Sequence, residues 1–163
     1  MNYHNESQMN LEDAGTYVGL RLTASSRLEL LTFCQKKKIE LNAIGNAYER
    51  RMHTTVFYSY QKPQNTELGS MHGKILAIRA RAKGWKVLPR QGMDEKQCLV
   101  LEIESPDLEH YHQKILETTG IKHVFNPYIP HITMDYEFLG QIPEELPEFE
   151  ILFQELYVKH LFY

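Results

Sequence analysis

An α+β domain with a central, mostly antiparallel sheet flanked by helices is the fold class this sequence predicts. Three observations carry that expectation. Strand-type and helix-type segments follow one another in the order β-α-β-β-β-α-β-β, which contains two β-α-β-like halves. Each half delivers a strand-type stretch with the pattern His-x-Thr, His53-Thr54-Thr55 in the first and His131-Ile132-Thr133 in the second. At 163 residues, with a hydrophobic fraction of 42% and a charged fraction of 24%, the chain is long enough for one domain with a real core. Residues 15–163 are assigned to that domain, and the polar stretch 1–14 to a flexible N-terminal segment.

The first strand is Gly15-Thr-Tyr-Val-Gly-Leu-Arg-Leu22. Thr23-Ala-Ser-Ser26 then offers helix N-caps, and Leu28, Leu31 and Cys34 suggest the buried stripe of the helix that follows. Lys36-Lys-Lys38 closes it, where cations favour the negative end of the helix dipole, so the lysine run reads as a solvated helix end. Asn42 to Arg51 is a connecting loop with a turn signal at Gly45-Asn46, leading into the first His-x-Thr strand over about 52–59. Lys62-Pro-Gln-Asn65 breaks that strand, and 69–73 is a flexible stretch. From Lys74 to Lys83 the residues alternate, with Ile78, Ala80 and Ala82 on one face and Arg79, Arg81 and Lys83 on the other. A turn is expected at Pro89-Arg-Gln-Gly92, and Cys98 to Ile103 is a compact apolar strand. Ser105-Pro106-Asp107 combines a cap, a first-turn proline and an early acid, predicting a helix that runs to Thr119 and stops at Gly120. Asn126-Pro127 precedes the second His-x-Thr strand. Gln141 to Pro147 is a proline-containing acidic linker that permits a lid, and Phe149 to Phe162 reads as a last strand or pair of strands.

Charge and cysteine usage narrow the functional classes. A net charge of −3 argues against coating long nucleic acid by charge alone, while a small anionic ligand needs only a local basic pocket. No apolar run is long enough to span a membrane, and the amino terminus lacks a signal pattern. Cys34 and Cys98 fit neither a metal spacing nor a disulfide framework, so a cytoplasmic protein is expected.

In an extended strand, side chains at i and i+2 share a face, roughly 6.5 Å apart. Each His-x-Thr stretch therefore presents an imidazole beside a hydroxyl. Eight histidines among fifteen Ser and Thr should give about 0.7 such spacings by chance, and two are found. Spacing alone is weak, and two ordinary strand histidines are the alternative. If the strands lie side by side, two imidazoles and two hydroxyls converge on a space the size of a phosphate. His53 and His131 are then candidates for acid and base, and Thr55 and Thr133 for binding non-bridging oxygens. An imidazole titrates near pH 6.5, so a pair readily holds one protonated and one neutral member. A phosphodiester beside a ribose 2′-hydroxyl needs that division. His110-Tyr-His112 resembles a metal pair, but on a helix i and i+2 face apart, so no metal site and no cofactor are expected. Trp85, the single tryptophan, and Tyr17 are candidate surfaces for a nucleobase, with a core or core-edge aromatic as the alternative for each. Arg79 and Arg81 could attract phosphate, though an exposed sheet face explains them equally well.

The two motifs resemble those of the two-histidine (2H) phosphoesterase superfamily, whose mark is a pair of His-x-Thr/Ser stretches on the strands of a bilobal, pseudo-twofold α+β fold. His53-Thr54-Thr55 departs mildly, with Thr54 where a hydrophobic residue is common. Within that superfamily the sequence is most similar to phage anti-CBASS nucleases, which degrade cyclic oligonucleotide second messengers of bacterial antiviral defence. The supporting features are the Gly-Thr-Tyr-Val-Gly strand, the tryptophan between the motifs and the short chain. The resemblance implies metal-independent cleavage of 3′,5′ bonds in cyclic di- and trinucleotides, leaving a linear 3′-phosphate. It further implies that Tyr17 and Trp85 sandwich an adenine, that His53, Thr55, His131 and Thr133 are catalytic, and that the setting is the infected bacterial cytoplasm. A monomer is expected, with neither long nucleic acid nor membrane as partner. Two other readings keep the site and change its use: an RNA 2′,3′-cyclic or 2′,5′-oligoadenylate phosphodiesterase, and a non-catalytic protein that sequesters cyclic nucleotides.

Overall fold

The computed structural model describes residues 15–42, 52–61, 67–89, 97–123 and 127–161, without the side chains of residues 160 and 161. The expected N-terminal segment, the Gly45-Asn46 turn, the break over 62–65 and most of the 89–92 turn lie outside these residues. Among the described residues, six strands and two helices follow in the predicted order: β1 (Gly15–Leu22), α1 (Ala24–Lys36), β2 (His53–Ser59), β3 (Ile75–Pro89), β4 (Gln97–Glu104), α2 (Pro106–Thr119), β5 (His131–Asp135) and β6 (Ile151–Leu161). A 3-10 turn at Gly69–Met71 occupies the stretch read as flexible. Among the described residues no helix is long and apolar enough to cross a membrane.

Local chemistry sets the helix ends. The Thr23 hydroxyl accepts the Ser26 N–H at 3.1 Å to start α1. Ser105 does the same for Leu108 at 3.1 Å, Pro106 enters the first turn of α2, and Gly120 closes it at φ 67°, a left-handed conformation that glycine adopts without penalty. Lys36 lies in the last turn of α1, as the lysine run suggested.

All strand pairings are antiparallel, and they close on themselves in the order β1-β2-β5-β4-β3-β6. That ring is symmetric under the exchange of β1 with β4, β2 with β5 and β6 with β3. The units β1-α1-β2 and β4-α2-β5 are thus equivalent halves, joined where β2 meets β5. This is the bilobal, pseudo-twofold α+β architecture expected from the sequence.

The registers divide the sheet into two faces. One cross-strand row runs Leu156, Leu20, Thr54, Ile132, Leu101. All five side chains are fully buried, and the four apolar ones join Leu30 of α1 and Leu108 and Ile115 of α2 in one core cluster. This is the helix-covered face.

Two expectations are corrected. On α1 the buried residues are Ser26, Leu30 and Cys34, whereas Leu28 is 65% exposed. The helix turns this way because the Ser26 hydroxyl accepts the Leu152 N–H of β6 at 2.8 Å, pinning a polar residue to the sheet side. The strand expected to end near Lys83 continues through Trp85 to Pro89. Between Ala82 and Gly84 its register against β4 shifts by one residue, which makes Lys83 a bulge.

Candidate functional site

Thr54 and Ile132 are directly opposed where β2 meets β5. Antiparallel pairing about that point sets His53 opposite Thr133 and Thr55 opposite His131, with paired Cα atoms about 5 Å apart. Thr54 and Ile132 are buried, so their neighbours at ±1 project from the other face. His53, Thr55, His131 and Thr133 are all half-buried there, within reach of solvent. The Thr54 hydroxyl donates to the His131 carbonyl at 2.8 Å, stapling the two strands at the centre of the quartet. Each motif thus places its histidine against the other motif's threonine.

Flanking strands extend the arrangement. One row on this face runs Gly84, Glu102, His131, Thr55, Gly19, Tyr157, and the next runs Lys86, Val100, Thr133, His53, Arg21, Glu155. Exposed cations, Lys86 and Arg21, therefore bracket the pair His53 and Thr133.

His131 is oriented from behind. Its Nδ1 lies 3.0 Å from the Ile129 carbonyl, which can only accept, so Nδ1 carries the hydrogen and Nε2 the lone pair of the neutral ring. Burial pushes the pKa of His131 down to about 4, and the nearby His53 adds to the shift. At neutral pH, His131 is an uncharged imidazole with a fixed tautomer.

Tyr17 joins the site. Its hydroxyl is 2.9 Å from the Thr55 hydroxyl, and its ring packs edge-on to His53 with centroids 6.2 Å apart. It is only 3% exposed, enclosed by His53, Tyr58 and Tyr157, so it presents no open face to a base. Trp85 is not brought here. It pairs with Leu101, packs against the core on the helix-covered face, and donates its indole N–H to the Glu145 carbonyl at 2.8 Å. The bulge at Lys83 reverses the side to which every later residue of β3 points, which is why Trp85 leaves the face of Arg81. Arg79 makes an ion pair with Glu150 at 3.4 Å on the surface.

Three residues of this face escaped the sequence reading: Tyr157, Arg21 and Glu102. Tyr157 packs edge-on to His53 at 6.0 Å between centroids, with the Arg21 guanidinium 4.9 Å above its ring. It fits because position 19 has no side chain: a Cβ on Gly19 would overlap the tyrosine ring. A lone glycine inside a strand pattern is the available signal for such an approach. His110 is exposed and His112 buried, as the helical spacing required. Among the described residues no three His, Cys, Asp or Glu side chains gather as a metal centre needs.

Three likenesses to known proteins bear on the family and the fold. Over 127 residues the chain is 26% identical to the anti-CBASS protein Acb1 of Vibrio phage KVP40, covering 78% of this chain and 76% of that one. The solved structure of TT0787 of Thermus thermophilus matches with a TM-score of 0.60 at 17% identity, over 88% of this chain and 86% of that one, a likeness of fold. The sequence profile described as anti-CBASS protein Acb1 matches residues 14–161. The chain belongs to the anti-CBASS protein Acb1 family.

Proposed function

We propose that this protein is a phosphodiesterase that opens 3′,5′ bonds of cyclic di- and trinucleotide second messengers and so blocks CBASS signalling. The observation that carries this reading is the crossed pairing of His53 with Thr133 and Thr55 with His131 on one accessible face.

The geometry supports the following chemistry. His131 starts neutral, with the ring lone pair on Nε2, and takes the proton of the ribose 2′-hydroxyl. The 2′-oxygen attacks phosphorus in line, and the bond to the 5′-oxygen breaks. His53, across the strand pair, supplies the proton to that leaving oxygen. Negative charge grows on the non-bridging oxygens, which Thr55 and Thr133 receive as hydrogen-bond donors. If the Tyr17 hydroxyl donates to Thr55, the Thr55 hydrogen is left to turn toward the phosphate. The immediate product is a 2′,3′-cyclic phosphate. Water opens it with the roles exchanged, leaving a linear oligonucleotide with a 3′-phosphate. Acid, base and charge stabilisation all come from side chains, so the cycle needs no metal. Arg21 and Lys86 add positive potential along the row of the reacting groups.

Incubation with 3′,3′-cyclic GMP-AMP in EDTA, followed by mass spectrometry, tests the reading. A linear product ending in a 3′-phosphate is expected. Intact ligand released on heating would identify a sequestering protein instead. Cleavage restricted to 2′,5′ links or to RNA 2′,3′-cyclic ends would assign the site to those substrates.

A further inference from the structure

We propose that Tyr128 and His123, backed by His112, are positioning residues that hold the β2 segment carrying Thr55 against β5. The inference deepens the catalytic reading above and rests on it for its kinetic consequences. β5 starts at His131, and its register with β2 is set at Thr54↔Ile132. Beyond Thr55, therefore, β2 runs past the start of its neighbour. On its other side, the pairing with β1 slips between Val18 and Gly19, leaving Val56 as an extra residue. A strand that has lost one ladder and is bulged against the other has backbone groups to satisfy and a position to define.

Side chains meet that need. The Tyr128 hydroxyl donates to the Thr55 carbonyl at 2.7 Å. His112 of α2 donates from Nδ1 to the Val56 carbonyl at 2.7 Å, and the Tyr58 N–H donates to Nδ1 of His123 at 3.0 Å. Three groups from outside the strand thus substitute for ladder bonds over residues 55–58. They also brace one another. The rings of His112 and Tyr128 stack at 4.0 Å with 9° between planes, His123 stands edge-on to His112 at 4.7 Å, and Phe57 packs against both imidazoles.

The two histidines hold opposite tautomers: hydrogen on Nδ1 in His112, acceptor at Nδ1 in His123. Both are kept neutral, since burial lowers the pKa of each, His123 to about 4. An apolar trio would fill the same space without desolvating imidazoles, so packing alone does not explain these residue types. Thr55 is the link to function. Its carbonyl is held by Tyr128, three residues before His131, and its hydroxyl is the group assigned above to the non-bridging oxygens. The cluster therefore fixes the distance between the two halves of the site without touching substrate.

Tyr128→Phe removes one hydroxyl and keeps the stacked ring. It should lower kcat about tenfold on 3′,3′-cyclic GMP-AMP with KM changed less than twofold. His123→Leu should do the same, and His123→Asn, whose amide oxygen can accept from Tyr58, should recover most of the loss. Hydrogen exchange at the Tyr58 amide decides the tether independently of turnover: faster exchange in His123→Leu, restored in His123→Asn, supports it. Equal protection in wild type and His123→Leu, or wild-type kcat in Tyr128→Phe, overturns the proposal. If the wild-type protein cleaves no cyclic nucleotide, the catalytic reading fails, and the exchange result still decides whether the cluster tethers β2.

Discussion

Thr54 and Ile132 face each other across the meeting of β2 and β5, both fully buried, and that one pair aligns everything that matters on the other side of the sheet. A slip of one residue would turn both histidines into the core. The Thr54 hydroxyl, bound to the His131 carbonyl, guards against it. This is a physical reason for a threonine where a hydrophobic residue is common.

Thr55 and Tyr17 share a hydrogen bond of 2.9 Å, and the two hydroxyls are expected to contribute unequally. Thr55→Val deletes a donor to the developing charge and should reduce kcat by about 10- to 100-fold. Tyr17→Phe removes only the support behind it and should cost about 3- to 10-fold. Single-turnover kinetics on both variants checks the order; a larger loss from Tyr17→Phe would contradict this division of roles.

The pH dependence has a defined sign. His123 and His131 have folded-state pKa values pushed down to about 4, against about 6.5 when unfolded. Between those limits the unfolded chain binds more protons than the folded one, so their contribution to stability is complete above pH 6.5 and is lost as pH falls toward 4. The loss should be on the order of 1–3 kcal/mol per histidine, discounted for the solvent that reaches His131. Urea titrations of wild type and His123→Leu should show the variant losing less stability over this range. For the same reason the acid limb of kcat/KM should lie well below pH 6.5, and a limb at or above it would argue against His131 as the base.

A substrate lacking the internal nucleophile separates this chemistry from attack by water. A 2′-deoxy cyclic dinucleotide should bind and remain uncut, as followed by calorimetry and mass spectrometry. Its cleavage would mean that the 2′-oxygen is not the attacking atom.

Gly19→Ala places a methyl group where the Tyr157 ring lies. Because Tyr157 packs on His53, the substitution should destabilise the protein by about 1–3 kcal/mol and lower activity together. Thermal unfolding beside a turnover assay measures both.

Much of the fold was legible because local signals were strong and mutually consistent. The cap, proline and glycine of α2 fix both of its ends, and period-2 alternation in the His-x-Thr stretches puts each imidazole beside its own threonine. The partnership between motifs was less legible, because register depends on contacts 77 residues apart, such as the one between Thr54 and His131. Trp85 is the clearest case of lost information. Alternation up to Ala82 assigns it to the face of Arg81, and a one-residue bulge at Lys83 turns it to the core. Composition does not encode a bulge. Tyr157 was hidden for a different reason: its importance comes from the space above Gly19, in a strand far away in sequence.

The central claim is that two imidazoles from separate halves act on a single linkage, and alanine substitution of each tests it most directly. In EDTA with 3′,3′-cyclic GMP-AMP, His53→Ala and His131→Ala should each bind ligand at close to wild-type affinity and lose turnover by about 100-fold or more. Either variant retaining wild-type turnover would contradict the account.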